Sequence, residues 1–409
     1  MGLTAQEKRS ATKVTAPRYQ KAVKKQKGRI LEEFIALTGY DRCYAAYLLR
    51  TQGKRTYVGR NTIVVADVGE KATRTRKRFY DGVVVTALLK IWLIMDCLCG
   101  KRLAPMLQEV VPLLRRHKEI RIDATTERKL LSISAATIDR LLKAEKRKQQ
   151  IKGRSHTKPG TLLKHQIPIR TFAEWNEQRP GFVEIDLVGH DGGNSSGDFA
   201  QTLTVTDVCT GWTEMQAVKN KVQIWVFEAL TDIRDRLPFD LLGIDSDNGG
   251  EFVNNHLYRY CIKEKITFTR ARSNRKNDNC FVEQKNYSVV RRAVGYMRHD
   301  TPEEVSLLNE LYEYLRLYSN HFHPAMKLLE KTRVGSKVKK KYDKPQTPYQ
   351  RVLASPSVPE DIKEWLRHEH GKLNPAELNR KIARFQGKLI SIASAKQKEK
   401  ALFIKSRMF

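Results

Sequence analysis

Three acidic residues stand where a folded chain rarely places carboxylates, and their positions would let them share one site. Asp186 interrupts an apolar strand pattern, Asp247 ends another and precedes two glycines, and Glu283 falls in the first turns of a predicted helix. A carboxylate in a core strand is costly unless it is paired or metal-bound. Oxygen ligands suit Mg²⁺, with Mn²⁺ as a substitute, better than zinc. Two such ions promote in-line displacement at phosphorus, so the pattern predicts a two-metal phosphoryl-transfer centre.

The elements that must position these residues follow the order of an RNase H-like mixed sheet. Three strands form a meander, and helix, strand, helix, strand and helix follow. The predicted strands are 182–189, 199–208, 212–218, 241–246 and 266–270, and the predicted helices are 222–237, 251–263 and 279–297. In such a sheet the first and fourth strands are neighbours and the last helix packs beside them. We therefore expect the three carboxylates to converge.

Residues next to the acidic trio leave alternatives open. Asp245 lies two residues before Asp247 on the same strand face and is an alternative ligand. Glu184 shares a face with Asp186 and is either an acid that supports the site or an exposed acid on an edge strand. His190 follows the first strand in a glycine-rich segment, where a solvated loop side chain is a simpler interpretation than a metal ligand.

Other aromatic and histidine residues favour structural roles. Trp212 follows a Thr-Gly turn and fits a core position better than a platform for stacking bases. The segments His321-Phe322-His323 and His368-Glu369-His370 lack partners for a metal cage, so we interpret them as structural.

The charge of the chain indicates a polyanionic partner. It carries 76 Lys and Arg against 45 Asp and Glu, a net charge of +31, and such an excess is typical of proteins that bind nucleic acid. Residues 1–150 hold 33 basic and 14 acidic side chains and residues 251–409 hold 33 and 17, whereas residues 151–250 hold 10 and 14. This distribution predicts DNA-binding segments around a region that collects carboxylates. From charge alone, a ribosome-associated basic protein is the alternative.

Two helical regions precede the predicted sheet. Residues 17–50 predict two helices separated by Thr38-Gly39, the outline of a helix-turn-helix. A second copy is predicted at 79–146, and its last helix begins at Ser134. The outward side chains of that helix are candidates for DNA contact, and they are Thr137, Arg140, Lys143 and Lys146. An ordinary helical bundle with a basic surface is the alternative for each copy.

These patterns predict a multidomain protein with α and α/β parts. The predicted division is an N-terminal helix-turn-helix domain at 1–70, a second helical DNA-binding domain at 71–148, a basic linker at 149–179, the RNase H-like core at 180–330, and a small, basic, helical C-terminal region at 331–409. The linker prediction rests on its Lys, Arg, Gln and Gly content and its lack of apolar periodicity. The C-terminal region predicts a hairpin or loop at 331–345 and helices at 360–368 and 375–392.

Cysteine usage and hydropathy indicate a cytoplasmic protein. The six cysteines form no CxxC pair and no zinc-ligand spacing. The most apolar run, 83–99, is interrupted by Lys90 and Asp96, which favours a buried helix over a membrane span. We therefore expect a reduced chain with free buried thiols, no membrane partner, and a location at the bacterial nucleoid.

The segments around the acidic trio resemble the catalytic core of DDE transposases of bacterial insertion sequences, in the retroviral integrase superfamily. Asp-Asn-Gly followed by a helical Glu after 35 intervening residues is the spacing of that superfamily, and 35 residues separate Asp247 from Glu283. The resemblance covers about residues 180–330. It implies Asp186, Asp247 and Glu283 as catalytic residues and ligands of two Mg²⁺ ions. It also implies cleavage at transposon ends, strand transfer into target DNA, and a dimer or tetramer that synapses two ends.

The chain also departs from retroviral integrases. It lacks their N-terminal His/His/Cys/Cys zinc module, so end recognition is expected from the helix-turn-helix segments. Tyr287 stands one helical turn after Glu283, where those integrases carry a Lys, so no DNA-contact role carries over to that position. Lys285, Arg291 and Arg292 are candidate phosphate contacts on grounds of charge and position alone.

Two other functions are compatible with these features. A structure-specific RNase H-like nuclease would cut without joining, but it has no need of N-terminal DNA-binding modules. A non-catalytic DNA-binding regulator derived from a transposase would gain nothing from an intact acidic trio near phosphate. The predicted N-terminal DNA-binding modules and the intact acidic trio therefore favour the transposase.

Overall fold

The computed structural model describes residues 3–57, 63–67, 79–148, 179–247, 249–252, 254–271, 279–334 and 336–406. The chain forms two compact units, Met1–Phe79 and Tyr80–Phe409. The predicted linker lies outside the described residues except for Arg179, and Asn248 also lies outside them.

The first unit combines helices with a short hairpin. Its elements are α1 (Ala5–Lys21), α2 (Lys24–Thr38), α3 (Arg42–Thr51), β1 (Arg55–Tyr57) and the antiparallel β2 (Ile63–Val65). A small core joins the three helices and contains Ala16, Leu31, Phe34, Ala45 and Leu49. Helix α1 was not predicted, because its sequence is largely polar and only Thr12 and Ala16 are buried.

The turn between α2 and α3 contains the predicted glycine, followed by an N-cap residue. Gly39 ends α2 at a φ of 67°, a left-handed conformation that glycine adopts without steric cost. Asp41 then caps α3, because its side chain accepts hydrogen bonds from the backbone N–H groups of Cys43 and Tyr44. The predicted helix, glycine turn and helix are present, and the DNA-binding role of this pair stays a prediction.

The second unit begins with a helical segment. It contains α4 (Gly82–Ile94), α5 (Gly100–Arg116), α6 (Ala124–Leu131), α7 (Ala135–Leu141) and α8 (Lys143–Lys148). Ser134 caps α7 as predicted, accepting a hydrogen bond from Thr137 N. The prediction of one continuous helix beyond Ser134 was wrong, since a turn at Leu142 separates α7 from α8.

Among the described residues, a mixed sheet of five strands forms the middle of this unit. The strands are β3 (Phe182–Gly189), β4 (Gln201–Asp207), β5 (Thr213–Val218), β6 (Gly243–Ser246) and β7 (Thr267–Arg270), in the spatial order β5-β4-β3-β6-β7. The first three are antiparallel neighbours, and β6 and β7 run parallel to β3. Every residue of β4 is buried, which suits its alternation of Thr with apolar residues. The strand order predicted from the sequence is confirmed.

Helices flank this sheet and complete the unit. They are α9 (Gln223–Arg236), α10 (Asn255–Lys263), α11 (Cys280–Lys285), a π-helical segment (Asn286–Arg291), α12 (Arg292–Val294) and α13 (Pro302–Phe322). The C-terminal region adds a hairpin of β8 (Leu328–Val334) and β9 (Lys337–Tyr342), then α14 (Pro348–Ala354), α15 (Glu360–Lys372) and α16 (Pro375–Ser406). Of the hairpin or loop predicted at 331–345, the structure shows a hairpin. The last two predicted helices are confirmed, although α16 is longer than expected and α14 was not predicted.

The hydrophobic cores show which segments depend on one another. One core covers one part of the sheet with α9 and α10 and includes Val183, Ile185 and Ile233. A larger core joins α4–α7 to strand residues such as Val188, to α13 and to α16. The segments predicted as domains 71–148, 180–330 and 331–409 therefore share buried side chains within one compact unit.

Two sequence-based expectations about cysteines and membranes can be compared with this fold. All six cysteines are free thiols, but Cys43 and Cys99 are exposed and only Cys261 is fully buried. Expecting buried thiols was therefore wrong at the exposed positions. Within the described part of the chain, no helix combines the length and the apolar character that crossing a bilayer requires.

Candidate active site

The two predicted aspartates lie on neighbouring parallel strands. Ile185 of β3 is opposite Ser246 of β6, so the next residues, Asp186 and Asp247, follow side by side. Both are partly exposed, because β6 ends just before Asp247. Glu283 lies on the exposed face of α11, two positions before Lys285 at the end of that helix.

The charges of the other two carboxylates act on Asp186. Burial, together with the negative charges of Asp247, Glu283 and Glu251, raises the pKa of Asp186 to about 8. Burial also raises the pKa of Asp247, opposed by a hydrogen bond from Gly249 N at 2.9 Å. Crowded carboxylates of this kind favour either protonation or a bound cation.

Glu251 is a fourth acid that the sequence argument missed. Its carboxylate folds back onto the loop after β6, so that a Cβ at Gly249 would lie only 2.6–2.8 Å from it. Glycine at this position permits that close approach. The charge of Asp247 raises the pKa of Glu251, in addition to the effect of burial. The acid two residues after Gly249 was the signal available in the sequence.

Asn286 is a second residue that the sequence argument missed. Its Nδ2 donates to Asp186 Oδ2 at 2.7 Å, while Leu187 N donates to Asp186 Oδ1 at 2.8 Å. Asn286 follows Glu283 by three residues, which places both on one side of a helix. It also begins the π-helical segment, a local geometry that is frequent at functional sites. This hydrogen bond connects the strand that carries Asp186 to the helix that carries Glu283.

The donor set fits a hard divalent cation, but the side chains are not gathered at ligand distance. Within the described residues, no group of three or more His, Cys, Asp or Glu side chains is arranged to hold a metal ion. The oxygens of Asp186, Asp247 and Glu283 are nevertheless of the type that Mg²⁺ prefers, and their mutual repulsion is what a bound cation would relieve.

Asp245 is occupied by other contacts. It is fully buried and opposite Thr269 of β7, whose hydroxyl donates to Asp245 Oδ1. The amide of Asn279 donates to Asp245 Oδ2 at 3.1 Å and accepts from Asp247 N at 3.0 Å. These contacts favour Asp247 over Asp245 as the ligand.

Glu184 is not an exposed acid on an edge strand. It is fully buried on β3, which lies between β4 and β6. Its Oε2 accepts hydrogen bonds from Phe281 N at 2.8 Å and Val282 N at 2.9 Å. Burial, together with the charges of Asp245 and Glu283, raises the pKa of Glu184 to about 8, although the hydrogen bonds from Val282 N and Phe281 N oppose the rise.

The histidine and tryptophan interpretations have mixed outcomes. His190 is fully buried and hydrogen-bonded through Nε2 to Thr202 Oγ1 at 2.7 Å, so the expectation of a solvated loop side chain was wrong. Trp212 is buried, as predicted, and donates to Glu214 Oε1 at 2.8 Å. His321 and His370 approach one another within 3.0 Å at Nδ1, both beside the ring of Tyr349.

The candidate DNA contacts on the helical segment are partly engaged within the protein. Thr137 Oγ1 accepts from Arg140 Nη2 at 3.2 Å, and Lys146 is ion-paired with Asp139. Lys143 is exposed at the start of α8. The interruption at Leu142 means that these side chains do not share one continuous helix.

The three candidate DNA contacts that follow Glu283 differ in the groups that they bind within the protein. Arg291 donates to Gly189 O at 2.8 Å, and Arg292 is paired with Asp96 at 2.9 Å. Among the described residues, Lys285 has no hydrogen-bond acceptor and no acidic partner. Burial and the charge of Arg102 lower the pKa of Lys285 to about 8. Lys285 is therefore the residue of the three with neither a hydrogen-bond acceptor nor an acidic partner in the described part of the chain.

Comparisons with solved structures return integrase catalytic cores. The chain is similar to the BIV integrase catalytic core domain, with 15% identity, coverage of 46% of this chain and 98% of that chain, and a TM-score of 0.29. It is also similar to the HTLV-2 integrase catalytic core domain in complex with magnesium, in its dimeric form, with 13% identity, coverage of 42% and 95%, and a TM-score of 0.28.

Comparisons with protein sequences identify one close relationship. No family model matches the chain. The uncharacterized protein y4rM of Sinorhizobium fredii (strain NBRC 101917 / NGR234) is 39% identical over 334 residues, which cover 82% of this chain and 91% of that protein. At this identity and coverage, the chain belongs to the same protein family as Sinorhizobium fredii y4rM.

Proposed function

We propose that this protein is a DDE transposase of an insertion sequence, a member of the retroviral integrase superfamily that cuts and joins DNA by two-metal phosphoryl transfer. The observation that carries the proposal is that the neighbouring strands β3 and β6 place Asp186 and Asp247 side by side, while Glu283 on α11 adds its charge to that of Asp247 at Asp186. A fold gains no stability from such repulsion, so the arrangement supports a catalytic role.

The proposed site residues have separate tasks. Asp186, Asp247 and Glu283 would hold two Mg²⁺ ions, for which Mn²⁺ can substitute, and the ions would supply Lewis-acid chemistry to an in-line displacement at phosphorus. Asn286 orients the carboxylate of Asp186 through its 2.7 Å hydrogen bond. In the first reaction a water oxygen bonds to the phosphorus at a transposon end, and the 3′-oxygen leaves. In the second, that 3′-hydroxyl attacks a target phosphodiester and displaces its 3′-oxygen.

The proposed partners are double-stranded DNA and further copies of the chain. The basic charge of residues 1–150 supports binding of transposon ends by the N-terminal helix pair α2–α3 and by the segment 124–148. Thr137, Arg140, Lys143 and Lys146 are the proposed contacts there. Lys285, Arg291 and Arg292 are proposed near the site, with Lys285 best supported because, among the described residues, it has neither a hydrogen-bond acceptor nor an acidic partner. A dimer or tetramer would synapse two ends at the bacterial nucleoid.

Substitution of Asp186 tests the catalytic assignment. The substrate is a supercoiled plasmid that carries this gene with its flanking DNA, incubated with the protein and Mg²⁺ or Mn²⁺ beside a second target plasmid. We expect Asp186→Asn to lower cleavage by at least about 1,000-fold. The substitution removes a ligand of the proposed metal ions, which would stabilise the negative charge of the transition state. DNA binding should stay unchanged in a footprint. Asp361→Asn, at an exposed position on α15, is the matched control and should retain full cleavage.

The outcomes separate the competing functions. Cleavage by Asp186→Asn at the wild-type rate would remove the catalytic assignment. Cleavage by the wild-type protein without joining to the target plasmid would indicate a nuclease. A specific footprint on the flanking DNA without any cleavage would indicate a DNA-binding regulator.

A further inference from the structure

A second pair of acids lies beneath the proposed catalytic aspartates. Glu184 precedes Asp186 by two residues on β3, and Asp245 precedes Asp247 by two residues on β6. The two acids are opposite one another in the register of these parallel strands, and both are fully buried. The sheet therefore carries a buried acidic pair two residues before the partly exposed pair, Asp186 and Asp247.

Glu184 contacts the beginning of the helix that carries Glu283. The first N–H groups of a helix have no partner within it and favour a negative charge. Glu184 Oε2 accepts from two of them, Phe281 N at 2.8 Å and Val282 N at 2.9 Å. Asn279, the residue before the helix, makes no side-chain cap of its own. Glu283 follows directly after Val282, so the hydrogen bonds to Glu184 fix the position of the backbone that leads into Glu283.

Asp245 makes the corresponding contact toward Asp247. Its Oδ2 accepts from the Asn279 amide at 3.1 Å, and the same amide accepts from Asp247 N at 3.0 Å. Asn279 is thus held between the buried acid and the backbone of the proposed ligand. Glu184 therefore contacts the start of α11, and Asp245 is connected through Asn279 to the residue that follows β6.

Stability does not explain the burial of Glu184. A buried carboxylate pays a desolvation cost that is recovered only by good partners. Among the described residues, no Lys or Arg pairs with Glu184, and its Oε1 is buried without a hydrogen-bond partner. The charges of the acids Asp245 and Glu283 act against its ionised form. Residues that violate the rules of burial in this way are expected at functional sites.

We propose that Glu184 is a positioning residue, which holds the start of α11 so that Glu283 faces Asp186 and Asp247, with Asp245 and Asn279 holding Asp247 in the same way. This role rests on the proposed function, because it matters only if those three carboxylates act together. Glu184 itself touches no substrate.

A pair of substitutions at Glu184 separates positioning from folding. Glu184→Met removes both acceptor oxygens at similar volume, and it removes a costly buried acid. We expect the full chain to stay folded with a thermal midpoint near that of wild type, because the loss of the acceptor for Phe281 N and Val282 N opposes the gain from removing a buried acid. Cleavage of the plasmid should fall about 10- to 100-fold. Glu184→Gln keeps one acceptor oxygen for the two N–H groups and should retain at least about a third of wild-type cleavage.

Hydrogen exchange gives a readout that does not depend on activity. In Glu184→Met, without metal or DNA, the amides of Phe281 and Val282 should exchange at least about tenfold faster than in wild type, since they lose their acceptor. In Glu184→Gln their exchange should stay close to wild type. Glu214→Met is the control, since Glu214 is equally buried but lies beside Arg236 and Arg316. That variant should lose stability and keep wild-type cleavage per folded molecule.

Three results would overturn the positioning role. They are wild-type cleavage by Glu184→Met, unchanged exchange at Phe281 and Val282, or loss of the folded state in Glu184→Met, which would make the carboxylate a requirement of folding. Asp186→Asn, measured in parallel, keeps this result separate from the proposed function. If Asp186→Asn still cuts, the proposed function fails. If Asp186→Asn is inactive and Glu184→Met is fully active, only the positioning role fails.

Discussion

Lys285 differs from the neighbouring candidate DNA contacts in its electrostatic environment. Arg291 is held by the carbonyl of Gly189, and Arg292 is paired with Asp96. Lys285 instead lies near Arg102 and Arg351, whose charges lower its pKa in addition to the effect of burial. Arg351 is paired with Asp343 at 2.7 Å, whereas Lys285 has no acidic partner among the described residues. An external anion would stabilise the charge of Lys285, and DNA phosphate is the anion that the proposed function supplies.

We expect Lys285→Met to weaken DNA binding uniformly across sequences. The slope of log K against log salt concentration should become smaller in magnitude by about one, as expected for the loss of one phosphate contact. Fluorescence anisotropy with duplex DNA at several salt concentrations measures this slope. Lys372→Met is the matched control, because Lys372 is already paired with Glu369 at 2.6 Å. Equal slopes for wild type and Lys285→Met would contradict the assignment.

At the scale of elements, one buried carboxylate connects the beginning of β3 to the turn between β4 and β5. Asp207 Oδ1 accepts from Gly181 N at 2.9 Å, and its Oδ2 accepts from the N–H and the hydroxyl of Thr210, each at 2.6 Å. Burial raises the pKa of Asp207 to about 6 against its ordinary value of 3.8, although these hydrogen bonds oppose the rise. The native state therefore binds this proton more tightly than the unfolded state does.

This shift predicts the sign of a pH dependence. Because the folded pKa is the higher one, the contribution of Asp207 to the free energy of unfolding is fully present below about pH 4 and is lost as the pH rises through about 6, by about 1–3 kcal/mol. Asp207→Asn lowers stability overall, but its unfolding should lack this part of the pH dependence. Urea unfolding followed by tryptophan fluorescence between pH 4 and 7.5 measures the difference. A difference between wild type and Asp207→Asn that does not change with pH would contradict the prediction, and Asp361→Asn should follow the wild-type curve.

At the scale of the whole molecule, the helical segment before the sheet depends on the sheet for its core. Buried residues of α4 and α5, such as Leu88, Ile91, Leu103 and Leu107, belong to the same core as residues of α13 and α16. Each such side chain contributes about 1.5–3 kcal/mol when it is fully buried. The loss of several of them exceeds the stability of a typical domain, about 5–15 kcal/mol.

This shared core makes a prediction about fragments. A fragment of residues 80–409 should unfold cooperatively, because it corresponds to one compact unit. A fragment of residues 180–409 should show no cooperative thermal transition and should bind a hydrophobic dye, because it loses α4–α7. Differential scanning calorimetry and dye fluorescence distinguish the two. Cooperative melting of the shorter fragment would instead support an independent helical domain at 71–148.

Much of the candidate site was accessible from local patterns. The apolar pattern of β3 and the glycines after Asp247 placed the aspartates at strand positions, and the predicted helix 279–297 placed Glu283 in its first turns. The roles of Glu184, Asn286 and His190 were not accessible in this way. Each depends on a partner from another element: Glu184 on the N–H of Phe281, 97 residues away, and Asn286 on Asp186, 100 residues away.

By itself, the sequence determined the order of strands and helices from β3 to α11, the turn at Gly39 and the candidate acids, because periodicity, caps and glycine conformations act over a few residues. The tertiary structure alone decided which acid is partly exposed and which is fully buried. Glu184 and Asp186 lie on the same face of β3, but only Asp186 lies beyond the last residue of β6. It also decided that α4–α7 share a core with the sheet. Burial and long-range hydrogen bonds are properties of pairs of elements, and no local pattern contains them.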